Sequence, residues 1–129
     1  MIKQLNQVKE FHEKFGIHIG TDLGDIDGFT ATLRASLIAE EAKEVNIAIW
    51  NEPIENITKE LCDLLYVTYG TILAYGLQNK IEDCFNEVHK SNMSKLGRDG
   101  KPVYREDGKL LKGDNYSQAD IKSILEINV

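Results

Sequence analysis

Five carboxylates in two short runs are the side chains of this sequence best placed to do chemistry. Glu40, Glu41 and Glu44 come first, and Glu60 and Asp63 follow after a gap of fifteen residues. Carboxylate oxygens are hard donors. With no His or Cys at ligand spacing, an all-oxygen set favours Mg2+, with Mn2+ able to substitute. A di-iron bundle would want Glu-x-x-His on its helices, and none of His12, His18 and His89 has a Glu three residues before it. The run Asp25-Ile26-Asp27-Gly28 hints at a calcium loop. Its register fails, because Leu23 and Arg34 would fall at the first and twelfth positions, where ligands are required.

The elements that carry these acids are helices. Ile2, Leu5, Val8, Phe11 and Phe15 recur at three- and four-residue steps, the pattern of an amphipathic helix that Gly16 would stop. A loop rich in Gly and Asp follows over 16–28. A second helix is expected from about Phe29 to Trp50 and a third from an Asn56 N-cap to about Tyr75. A fourth is expected over roughly Asn79 to Lys95. On a wheel of about 100° per residue, Glu40, Glu41 and Glu44 interrupt the apolar stripe of Leu33, Leu37, Val45 and Ala48. They avoid the solvent face marked by Ser36, Lys43 and Asn46. The third helix is apolar in every direction, with Leu61, Leu64, Leu65, Tyr66, Val67, Tyr69, Ile72 and Leu73, and so should be buried on all sides. Its formal charges are Lys59, Glu60 and Asp63. Lys43 and Lys59, the nearest bases, are expected to lie off the acidic faces. Buried carboxylates without a counter-ion are costly, so two acid pairs turned inward imply a metal.

The 129 residues make one domain, 42% of them hydrophobic, and the net charge of −6 argues against broad contact with a nucleic-acid backbone. The charge is uneven. Residues 1–88 carry 15 acidic and 7 basic side chains, whereas 89–116 carry 4 and 7, an acidic body with a basic tail. Cys62 and Cys84 are too few for a zinc cage or a disulfide framework and read as small core residues. No apolar run is long enough for a membrane span and no signal peptide is evident, so the cytoplasm is expected. Val103 to Glu106 and Lys109 to Lys112 flank Asp107-Gly108, a tight-hairpin signal, and Ser117 should cap a short helix over Gln118 to Leu125. The expected class is all-α: a bundle of four to five helices with a small C-terminal β-hairpin. It is organised as one domain over 1–129, with a helical core over 1–95 and the hairpin and short helix over 96–129.

The acidic pattern also carries a family likeness. Glu40-Glu41-x-x-Glu44 followed by Glu60-x-x-Asp63 resembles the all-α nucleoside triphosphate pyrophosphohydrolases, which include MazG-like enzymes, dimeric all-α dUTPases and phosphoribosyl-ATP pyrophosphohydrolase. Val8-Lys9-Glu10-Phe11-His12, Glu60 to Gly70 and Glu87 to Lys95 look like a MazG-like branch close to the bacterial all-α dUTP pyrophosphohydrolases. So does the tail Asp107-Gly108-Lys109, Lys112-Gly113 and Asn115-Tyr116. Two positions depart from the pattern. Cys62 stands where a small Ala is common, and the loop at Thr21-Asp22 lacks the usual proline.

The resemblance implies cleavage between the α and β phosphates of a nucleoside triphosphate, giving a monophosphate and pyrophosphate. Glu40, Glu41, Glu44, Glu60 and Asp63 would then be the Mg2+ ligands or the base. Glu41, at the edge of the acidic stripe, is the first choice for the base, with Glu40 and Glu44 as alternatives. In the basic tail Lys95 and Lys112 are the first choices to hold pyrophosphate, followed by Arg98 and Lys109. Asn92, Ser94 and Asn115 would add neutral hydrogen bonds, and Tyr116 or Trp50 would stack on the base. The branch points to dUTP or dCTP, then to phosphoribosyl-ATP. The alternative of another class is a non-catalytic, nucleotide-sensing helical oligomer. An all-round apolar third helix implies a homo-oligomer, a dimer before a tetramer.

Overall fold

Local chemistry places the ends of every helix. In the computed structural model, which describes residues 1–127, Gly16 closes α1 (Ile2–Phe15) in the left-handed region at φ 69°, its N–H bonded to the His12 carbonyl. α2 (Gly28–Asn51) begins at Asp27, whose Oδ1 accepts from the Thr30 N–H at 2.7 Å. The aspartates that hint at a calcium loop are therefore partly a helix cap. α3 (Ile54–Ala74) starts three residues earlier than expected. Pro53, with φ −71°, stands at the N-cap, and the expected cap Asn56 lies inside the helix, its side-chain amide donating to Glu52 Oε1 at 3.1 Å. α4 (Ile81–Met93), β1 (Val103–Tyr104), β2 (Leu110–Leu111) and α5 (Ile121–Ile124) complete the order. The chain is mostly helical with a two-stranded antiparallel sheet, the expected class.

The chain divides into two compact units, Met1–Asn79 and the residues from Lys80 onward. In the first, α3 packs along α2 and against α1. Leu5, Val8 and His12 from α1, Val45 and Ala48 from α2, and Leu73 and Ala74 from α3 are buried. The loop between α1 and α2 is held against the end of α3: the Gly20 N–H reaches the Leu73 carbonyl at 2.9 Å and the Gly24 N–H reaches that of Tyr75 at 2.9 Å. Among the described residues no helix is long and apolar enough to cross a membrane.

Three expectations about burial need correction. Leu61, Leu65 and Tyr66 of α3 are 45%, 54% and 41% exposed, because α1 and α2 cover only part of its circumference. Leu33 of α2 is exposed for the same reason. Cys84 is buried as expected but Cys62 is exposed, beside Leu61 on the uncovered side of α3.

In the second unit α4 packs on α5, and the strands pair Val103 with Leu111 and Tyr104 with Leu110. The turn between the strands is longer than the two-residue Asp107-Gly108 turn expected. Arg105 N–H bonds to the Lys109 carbonyl and Gly108 N–H to the Arg105 carbonyl, with Gly108 left-handed at φ 87°. α5 is capped by Asp120, which accepts from the Ser123 N–H at 3.2 Å, and not by Ser117, whose N–H bonds to Ser94 Oγ.

Gly76 is the glycine this loop packing needs most. Its φ is 71°, and a Cβ there would collide with the Asp22 carbonyl; at Gly16 a Cβ would meet nothing. Left-handed backbone alone costs an alanine roughly 1–2 kcal/mol. Urea denaturation is expected to show a loss of about that size for Gly16→Ala and a clearly larger loss for Gly76→Ala, because only the latter must also move backbone. Equal losses would contradict this packing.

Candidate metal centre

The α2–α3 contact sets the acids face to face. Glu41 and Glu44 lie one turn apart on α2, and Glu60 and Asp63 one turn apart on α3, so each helix directs a pair of acids to one side. Glu41, Glu60 and Asp63 each bring a carboxylate oxygen within 4.8 Å of the others. Glu44 lies close enough to Glu60 for a proton between the two carboxyls to raise its pKa. Glu40, one residue earlier, is exposed and outside the group.

The electrostatics are those of a site short of positive charge. Glu41 is pushed above the ordinary carboxylate range, first by burial and then by repulsion from Asp63, Glu60 and Glu40. Glu44 is raised as well, first by its hydrogen bond with Glu60 and then by the Glu41 and Glu60 charges. One expectation fails here. Lys59 does not lie off the acidic face: its Nζ sits 2.7 Å from Asp63 Oδ2 and 3.6 Å from Glu60 Oε1. The i,i+4 spacing and a flexible four-carbon stem allow that reach. This ammonium is 65% exposed and only edges the cluster; Lys43 makes no ion pair among the described residues.

Whether the donors suit a cation is decided by their unsatisfied atoms. Glu41 Oε2 and Glu60 Oε2 are both buried with no hydrogen-bond partner. Buried carboxylate oxygens without a donor are expensive, and a divalent cation bound between them would satisfy both. All donors are hard oxygens on two rigid helices, which fits Mg2+ or Mn2+.

A cleft of about 330 Å³ runs from Glu41 and Asp63 between Phe11, Leu37 and Tyr66 to His12 and Arg34. His12 and Arg34 are almost wholly buried. Arg34 Nε donates to Thr71 Oγ1 at 3.1 Å and Nη2 to the Val67 carbonyl at 2.8 Å. His12 Nδ1 is 3.2 Å from the His18 carbonyl. Burial lowers the pKa of both groups. Neither was singled out as a site residue from the sequence. The available signals are an arginine one heptad, about two helical turns, before Glu41 and inside the apolar stripe, and a glycine, Gly70, within the third helix.

The expected substrate contacts other than Trp50 lie in the second unit. Ser94 Oγ donates to the Ser91 carbonyl at 2.6 Å and accepts from Ser117 N–H at 2.9 Å, so its hydroxyl is engaged locally. Lys112 Nζ lies 4.5 Å from the Tyr116 ring centre, a cation–π contact. Arg98 pairs with Asp114 at 3.3 Å. Lys95 is half-buried, and Asn92, Lys109 and Asn115 are exposed. Trp50, in the first unit, is exposed.

Comparison with known proteins adds a family. The phosphoribosyl-ATP pyrophosphohydrolase family matches residues 8–92, a stretch that includes all five acids. No curated protein sequence matches the chain. Among solved structures it is similar to a candidate NTP pyrophosphohydrolase from Exiguobacterium sp. 255-15, with 25% identity, a TM-score of 0.45, and coverage of 95% of this chain and 91% of that one.

The raised pKa of Glu41 gives a signed expectation. A carboxyl whose folded pKa exceeds its unfolded value favours the folded state while protonated, and that contribution is lost as pH rises through the folded pKa. Without divalent metal, Glu41→Gln should therefore gain stability relative to the parent as pH climbs from the acid range to neutrality. Millimolar Mg2+ at neutral pH should reverse the order by stabilising only the parent. Denaturant midpoints at acid and neutral pH, with and without Mg2+, measure both effects. A pH-independent difference would contradict the repulsion described.

Proposed function

The chain belongs to the phosphoribosyl-ATP pyrophosphohydrolase family, and from that membership and its convergent acids we propose that it is a Mg2+-dependent nucleoside triphosphate pyrophosphohydrolase. The observation that carries the reading is the trio Glu41, Glu60 and Asp63 within 4.8 Å, with two of its oxygens buried and unpartnered. A triphosphate is strongly anionic and would be repelled by these acids alone. The bound divalent metal would offset that charge and polarise the α-phosphoryl oxygen.

The chain's own residues divide the remaining work. Glu41, Glu44, Glu60 and Asp63 hold the cation. Glu41 was the first choice for the base, but its place inside the trio suits a ligand. Glu40, adjacent and outside the trio, is free to orient the attacking water and accept its proton. The water oxygen bonds to the α-phosphorus, and the bridging oxygen leaves with the β- and γ-phosphates as pyrophosphate. Lys95 and Lys112, with Arg98, Lys109, Asn92, Ser94, Asn115 and Tyr116, are proposed contacts for the substrate.

The substrate proposed is a deoxypyrimidine triphosphate, dUTP or dCTP, by likeness to the dUTP-hydrolysing branch. Phosphoribosyl-ATP is the second reading, favoured by the family that matches. A homodimer is also proposed. Phe29, Trp50, Ile54 and Leu65 stand more than half exposed on α2 and α3, an apolar surface that a second copy would cover.

Pyrophosphate release from a panel of triphosphates and phosphoribosyl-ATP tests the activity. Asp63→Asn and Glu44→Gln are each expected to lower turnover at least about a hundredfold with the helices intact by circular dichroism. Turnover at the parent rate in either variant would sink the metal role. A protein that binds triphosphates but releases no pyrophosphate would instead be a nucleotide sensor. Sedimentation is expected to give a dimer, and a monomer at micromolar concentration would refute the shared apolar surface.

A further inference from the structure

The arginine at the end of the cleft away from the acids is tied to α3. Arg34, on α2, is 4% exposed. Its Nε donates to Thr71 Oγ1 at 3.1 Å and its Nη2 to the Val67 carbonyl at 2.8 Å. Thr71 Oγ1 donates in turn to the same Val67 carbonyl at 2.8 Å. One side chain of α2 thus grips a hydroxyl and a main-chain oxygen of α3 through a closed set of three hydrogen bonds. Such bonds have direction, whereas apolar contacts do not. A buried guanidinium is a costly way to hold two helices together if burial alone were required.

The grip fits one place on α3. A Cβ on Gly70 would collide with Arg34 Nη2 and stand 2.9 Å from His12 Nε2, so the guanidinium and the histidine of α1 share the notch beside this residue. Gly70 is the one glycine in the sequence of α3. One turn away on either side stand Tyr66 and Ala74, which both carry a Cβ. A slip of α3 by one turn, about 5.4 Å, therefore loses the notch together with the bonds to Val67 and Thr71.

The acids share that register. Arg34 to Glu41 on α2 is seven residues, and Val67 back to Glu60 on α3 is also seven. Through these pairs the two helices run in opposite directions, so equal steps of about 10 Å lead from the grip to the acids on both. There Glu41 meets Glu60 and Asp63, with oxygens within 4.8 Å. Mg2+ holds oxygen ligands at about 2.1 Å and tolerates departures of only about 0.2 Å. A small slide of one helix along the other is enough to spoil such a set.

We propose that Arg34 is a positioning residue for the metal centre: its bonds to Val67 and Thr71, seated beside Gly70, fix the sliding register of α2 against α3 and with it the spacing of the Glu41, Glu60 and Asp63 carboxylates. It acts through those acids and not on the cation. The proposal rests on the metal reading for its effect on cation binding, and on the packing alone for its effect on register.

Two readouts test it on the full chain. The first is the Mn2+ Kd, followed by electron paramagnetic resonance of the free ion. Arg34→Met keeps the length of the side chain and loses its donors. It should bind Mn2+ about tenfold more weakly, with helical content by circular dichroism as in the parent. Thr71→Val should show part of that loss, and the double variant little more than Arg34→Met alone, because both side chains act through one set of bonds. Leu5→Ala, a cavity at a buried position of α1, is the comparison: it should lower the denaturation midpoint and leave the Mn2+ Kd unchanged. Parent-like affinity in Thr71→Val, or a loss of equal size in Leu5→Ala, overturns the proposal. The near-isosteric Thr71→Val keeps the test decisive where Arg34→Met does not fold.

The second readout needs no metal. Nitroxide labels on Cys62 and on Ser36→Cys, with the buried Cys84 changed by Cys84→Ala, report the distance between exposed sites on α3 and α2. That distance should shift or broaden in Thr71→Val and hold in Leu5→Ala. An unchanged distance in Thr71→Val overturns the proposal. If the parent binds no Mn2+, the metal reading fails, and the label distances alone then decide whether Arg34 sets the register.

Discussion

Like charges brought together by helix packing are the constraint on which this structure turns. α2 and α3 cannot make their apolar contact without also bringing Glu41, Glu60 and Asp63 within 4.8 Å, with Glu44 beside Glu60. Repulsion and lost hydration both oppose that arrangement, and a single exposed lysine offsets little of it. The apolar packing of the two helices therefore stabilises a cluster that would separate in water. Strain of this kind is tolerated where it prepares a site, and a divalent cation is the species that relieves it.

The cleft has two unlike ends. Unpartnered carboxylate oxygens stand at one end, whereas at the other the Arg34 guanidinium is bonded to Thr71 and the Val67 carbonyl, with apolar side chains between them. The loop from Ile17 to Asp27 is pinned to the end of α3 through Gly20, Gly24 and Gly76, and Ile17 is its contribution to the lining of the cleft.

Much of this is legible in the residues, and the gaps have physical causes. Helical periodicity located α1 to α4 and set Glu40, Glu41, Glu44, Glu60 and Asp63 on inward faces, because charge inside an apolar stripe is a strong anomaly; of these Glu40 is exposed, since it stands at the edge of the α2 face that meets α3. The same anomaly exists at Arg34, next to Leu33 in the apolar stripe, but a lone charge does not name its partners; the packing turns it to Thr71 and Val67. Asn56 and Pro53 are both good helix starters, and composition does not rank them. Asp107-Gly108 fits a two-residue or a three-residue hairpin equally well. The all-round apolar sequence of α3 predicts full burial, yet Leu61, Leu65 and Tyr66 are exposed within one chain, because periodicity reports which residues are apolar and not which molecule covers them.

The central claim is that the acids of α2 and α3 share a site for a divalent cation. It is tested most directly by calorimetric titration of the full chain with Mg2+, in the presence of a non-hydrolysable triphosphate analogue, repeated in two buffers of different ionisation enthalpy. Saturable binding is the predicted result, with proton release growing as pH falls, because a cation favours the charged form of the Glu41 and Glu44 carboxyls whose pKa values are raised without it. No Mg2+-dependent heat, or binding that survives unchanged in Glu41→Gln with no proton released, would contradict the account.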